Sequence, residues 1–122
     1  MAAGEYLKVA ASQLRRAAEA RKADANELRK EIDHKDEEKK LNLRNLQGEE
    51  RVRQVAAASE DGSGMRNQHM REVMQLKSQE SVTEREYEKV KQDMAQMVSA
   101  AEGDANDLLQ RASDLERKAT QM

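Results

Sequence analysis

Glu31 and His34 stand three residues apart. On a helix that spacing places both on one face, and it is the Glu-x-x-His pairing with which carboxylate bundles hold iron. Such a site needs a second Glu-x-x-His, or carboxylates facing it from other helices. The other histidine, His69, has Arg66 at that distance, so no second half exists. With Asp36, Glu37 and Glu38 beside His34, the segment reads as a solvated charged face, and neither a metal nor another cofactor is expected.

Other chemistry is no better supported. The chain has no Cys, which removes thiol catalysis and disulfides. Acidic pairs are abundant, but they fall at exposed helix positions where nothing shifts their pKa values usefully. Gly62-Ser63-Gly64 ahead of a helix has the makings of an anion site, but a turn between two helices accounts for it equally. No catalytic residue is assigned, and the chain is read as not an enzyme. Lys8, Arg15, Arg16, Arg21 and Lys22 make a basic N-terminal arm of a kind that can touch phosphate. No aromatic residues interleave it for base stacking, so nucleic-acid or anionic-surface binding is carried as the alternative function rather than the first.

What must position any site is helical. Hydrophobic residues make up 37% and charged residues 38% of 122, with no Phe, Trp or Pro, so a globular core is out of reach. Disorder shares part of this composition, but ordered heptads and the absence of Pro argue against it. The net charge of −2 gives no global attraction to nucleic acid or anionic membrane. No apolar run is long enough to span a bilayer, the opening residues lack the pattern of a secretory signal, and residues 5–32 are too rich in Ala for a membrane-surface helix. A cytoplasmic location is expected.

Near the start, Leu7, Ala11, Leu14, Ala18, Ala25, Leu28 and Ile32 recur at heptad spacing. Near the end, Val90, Met94, Val98, Ala105, Leu108, Ala112 and Leu115 do the same, with Ala101 and Ala119 in the same series. Folding the chain back about Asp61-Gly62 sets Leu7 on Leu115, Ala11 on Ala112, Leu14 on Leu108, Ala18 on Ala105, Leu28 on Met94 and Ile32 on Val90. The fold class is therefore all-α: a long antiparallel two-helix hairpin, coiled-coil-like and closing into a multi-helix bundle by self-association. One hairpin domain is predicted over 1–122, with a helix over 5–58, a turn over 59–64 in which Gly62 stops one helix and Ser63 caps the next, and a helix over 65–121. Gly48 and Gly103 are the weak points inside the helices.

Between the two apolar blocks, Asp33 to Lys40 contains no apolar residue and faces another charged segment around Tyr87 and Val90. Lys35 and Lys39 are expected near Tyr87 and Glu84. The first seam then recovers at Leu43 and Leu46 and ends near Val52 and Val55. The basic arm faces Asp93, Glu102, Asp104 and Asp107, which favours this register through charge. Alanines seven apart on both arms allow close approach of the helix axes.

Two helices bury one stripe each, which leaves the hairpin marginal alone. Val9, Leu41, Met74, Met97 and Leu109 fall outside the seam and form the expected partner surface. The function expected is that of a non-enzymatic structural or adaptor protein working by helix–helix association. The favoured partner is a second copy in a dimer, or else a helical partner protein. A further alternative is that Gly62-Ser63-Gly64 followed by Met65 is an engineered joint between helices that pair as separate chains. The outline is shared by small secreted helical-hairpin proteins, but their Trp-x-Gly turn is absent here.

Overall fold

The computed structural model describes residues 2–59 and 63–122. Two helices, α1 (Ala3–Ser59) and α2 (Ser63–Gln121), pack against each other as a hairpin. α1 begins earlier than the sequence predicted, because the Ala2 carbonyl accepts from the amides of Glu5 and Tyr6. α2 begins at Ser63 rather than Met65. The expected Gly62 stop lies outside the described residues, as does the Ser63 side chain expected to cap α2.

Both helices run unbroken through their glycines. A Cβ built on Gly103 meets nothing within 4 Å. Gly103→Ala therefore adds helix propensity without a clash and is expected to stabilise the protein by about 0.5–1 kcal/mol. Thermal unfolding checks it, and a lowered midpoint would show that the site is not open.

The hairpin divides into two compact units. The first pairs Met1–Ile32 with Asp93–Met122, and the second comprises Asp33–Gln92. In the first unit the core is built on alanine. Ala11, Ala18, Ala25, Val98, Ala101, Ala105, Ala112 and Ala119 are all buried, while Leu7, Leu14, Leu28, Ile32, Met94, Leu108 and Leu115 are half-buried beside them. The pattern follows from small side chains at every seventh position, which let two backbones approach closely.

Gly4 continues that series one heptad earlier, and the sequence reading missed it. A Cβ on Gly4 would lie 3.4 Å from the Ala119 carbonyl oxygen. From that approach, steps of seven along both helices match Ala11 with Ala112, Ala18 with Ala105, and Ala25 with Val98. Leu28 and Ile32 pack on a cluster of Ala25, Val98 and Ala101.

The second unit has larger buried residues, Val73 and Leu76 with Ala57, and half-buried Leu43 and Leu46. Val52 and Val55, expected to end the seam, are exposed; the inward positions at this end are Glu50 and Ala57. Val90 also leaves its expected place. It is 38% exposed, and Lys91 is the half-buried residue there. The departure of Val90 has a periodic cause, and on α1 the series from Leu43 and Leu46 simply continues through Glu50 to Ala57. Inward positions on α1 step 35, 39, 43, and those on α2 step 83, 87, 91, each taking four residues twice in succession. A doubled step of four sets each later inward position one residue beyond that of a strict heptad, about 100° around the helix. The two steps occur at the same level of the unit, where Lys39 of α1 reaches Glu88 of α2 at 3.3 Å.

Candidate functional site

Part of the charge that sequence analysis singled out is engaged across the seam. On the first unit, Arg15 Nε donates to Glu116 Oε1 at 2.7 Å. Arg21 is shared between Asp24 of its own helix and Asp104 of α2, each at 3.0 Å. Arg29 pairs with Glu102. The hydrogen bond to Glu116 raises the Arg15 pKa further and holds the Glu116 carboxyl below its usual range. Arg21 is raised in the same way, first by Asp104 and then by Asp24. Two residues of the basic arm, Arg15 and Arg21, are thus paired with carboxylates across the seam. These exposed pairs select register more than they stabilise.

In the second unit Lys91 reaches Asp36 at 3.0 Å, and the hydrogen bond raises the lysine's pKa. Lys39 meets Glu88 rather than the expected Glu84. Lys35 turns to Glu38 on its own helix at 3.3 Å, and Tyr87 instead accepts from Asn42 Nδ2 at 2.6 Å. His34 Nε2 lies 3.0 Å from Glu38, one turn on, and its side chain is exposed. Among the described residues, no group of three or more His, Cys, Asp or Glu is placed to hold a metal ion. No helix is long and apolar enough to cross a membrane.

One acidic pair does sit in the seam. Glu80 occupies an inward heptad position of α2, seven residues after buried Val73, and its Oε1 is sealed from solvent. Glu50 of α1 stands beside it, with Lys77 Nζ at 3.7 Å from the Glu50 carboxylate. The neighbouring Glu50 carboxyl raises the Glu80 pKa, burial adds to the rise, and Lys77 opposes it. The signal for Glu50 was present in the sequence as a step of seven from Leu43 and seven again to Ala57, but its charge hid it.

A raised carboxyl pKa means that the folded state holds a proton the unfolded state has released. Stability therefore falls as pH rises from the ordinary carboxylate range through the raised value, and the loss persists above it. Glu80→Gln keeps the shape and supplies a donor to Glu50. It is expected to gain about 1 kcal/mol at neutral pH and to flatten the decline. Urea unfolding at acid and neutral pH measures both, and an unchanged pH profile would remove the pair as its cause.

The remaining distinctive feature is apolar. Among the described residues only three side chains larger than alanine are buried and hydrophobic: Val73, Leu76 and Val98. Twelve large hydrophobic residues are exposed, including Val9, Leu41, Met74 and Met97; Leu109 is half-buried. The fully buried positions are thus mostly alanine, with leucines half-buried beside them and a set of larger side chains left exposed. Comparison with protein-family models, with characterised proteins and with solved structures gives no match for this chain.

Proposed function

We propose that the chain is a non-enzymatic structural or adaptor protein that works by coiled-coil association, with a second copy as the favoured partner. The observation that carries this reading is the bulk left uncovered: among the described residues twelve large hydrophobics are exposed, while only three larger than alanine are fully buried and the other large ones are half-buried. Burial of a Val, Leu or Met side chain is worth about 1.5–3 kcal/mol, so a marginal two-helix unit gains most by covering such residues. The titratable side chains support the non-enzymatic part, since they stand in ion pairs along the helix faces rather than converging on a cleft.

Sedimentation across a wide concentration range, combined with a crosslink map, tests the proposal. Mass rising above the 13.8 kDa chain, with crosslinks through the exposed aliphatics, is the expected result. A single-chain mass at every concentration overturns self-association.

A further inference from the structure

The outward face of α1 in the second unit carries a heptad series of its own. Leu41, Asn45, Gly48, Val52, Val55 and Ser59 alternate steps of four and three, the spacing of a helix-pairing stripe. The inward residues of the same stretch, Leu43, Leu46, Glu50 and Ala57, run two positions out of phase, about 200° around the helix. The stripe is uncovered. Leu41, Val52 and Val55 are 56%, 65% and 64% exposed, and a Cβ at Gly48 would meet nothing within 4 Å. A groove of about 830 Å³ runs past Gly48 between Asn45 and Val52.

The flanking charges say what covers it. Arg44 precedes Asn45, and Glu49 follows Gly48. Among the described residues no ion pair engages Arg44, Glu49 or Arg51, although most neighbouring charges on this helix are paired. We propose that this face docks on the same face of a second copy, parallel and in register. The proposal rests on the association reading above and specifies its surface and direction.

In the parallel arrangement Arg44 of each copy reaches Glu49 of the other, one heptad position on, so the contact forms twice by symmetry. Asn45 meets Asn45, and the two amides satisfy each other. Val52 meets Val52 and Val55 meets Val55. The antiparallel alternative, centred between Gly48 and Val52, sets Arg51 against Arg51 and Glu49 against Glu49, and buries Asn45 against Val55 without a partner. Like charges and an unpaired amide both oppose it. A different helical protein would have to reproduce this charge pattern, whereas the chain already complements itself.

The test uses the whole chain. The unaltered protein sediments at twice the single-chain mass, and Val52→Asp returns it to single-chain mass with its helical circular dichroism unchanged. Arg44→Glu weakens self-association about tenfold, as expected for losing two exposed pairs and gaining repulsion, and the double variant Arg44→Glu with Glu49→Arg restores it. Because the chain has no Cys, Asn45→Cys is an unambiguous probe of direction, and mild oxidation links it into a disulfide dimer. If the unaltered chain stays monomeric, this proposal and the self-association reading fall together. If it associates but Val52→Asp associates equally well, this face is wrong and the broader reading stands. An associating Asn45→Cys that does not crosslink overturns the parallel direction.

Discussion

Ala18→Leu lowers the stability of the first unit by about 1–3 kcal/mol, although it adds apolar surface and swaps one good helix former for another. Ala18 is 0% exposed, and the series around it, Gly4, Ala11, Ala25 on α1 and Ala105, Ala112, Ala119 on α2, consists of the smallest side chains available. A leucine there has no free volume to enter. The helices must separate, and separation withdraws contact from Ala11 and Ala25 one heptad away on either side. Amide exchange locates the effect: protection falls across residues 11–25 and 98–112 more than across 43–57. Urea unfolding at one fixed protein concentration gives the magnitude. An Ala18→Leu protein as stable as the original would show that close approach of the backbones is not what the alanines are for.

The opposite size change is damaging in the second unit. Leu76→Ala is expected to lose about 2–3 kcal/mol, because among the described residues there Leu76 and Val73 alone are buried and larger than alanine. The neighbouring inward positions are Glu80, Thr83 and, on α1, Glu50, which have little apolar bulk with which to fill the space. Here the exchange signature reverses, with residues 43–57 and 69–83 losing protection first. Leu76→Met, which conserves volume, should cost less than about 1.5 kcal/mol. Equal losses for alanine and methionine would mean that packing volume is not the determinant.

These two expectations separate what the seam does in each unit. Where alanine recurs, spacing is set by backbone contact and tolerates no added bulk. Where the inward residues are long or charged, cohesion depends on a few aliphatic side chains and on pairs such as Lys91 with Asp36. The Glu50 and Glu80 pair adds a cost at neutral pH in that weaker unit, which is why its removal is expected to be favourable.

The helices and the hairpin were legible in the residues themselves. Heptad spacing is a local property: Leu7 to Ile32 and Met94 to Leu115 declare a buried stripe on each helix whatever stands opposite, and the matched alanines fix their antiparallel pairing. The charges of the basic arm and its acidic counterpart were legible as a trend but not as partners. Arg15 was free to choose among several carboxylates, and the structure gives it Glu116, outside the acidic group that the sequence suggested. Long flexible side chains reach across a turn or more, so register constrains them loosely.

What the tertiary structure alone decided is how the stripes rotate against each other. A strict heptad through Thr83 and Tyr87 placed Val90 inward, and the seam on α1 was expected to end near Val52 and Val55. The doubled step of four at 83–87–91 instead brings Lys91 inward, and on α1 Glu50 and Ala57 continue the series from Leu43 and Leu46 while Val52 and Val55 face out. Periodicity within one helix cannot set this, because the rotation and stagger of two helices depend on which side chains interlock across the gap. The chain thus specified locally that two helices form and that alanine joins them, while packing between them selected the carboxyl pair that meets in the seam and the aliphatic face that stays uncovered.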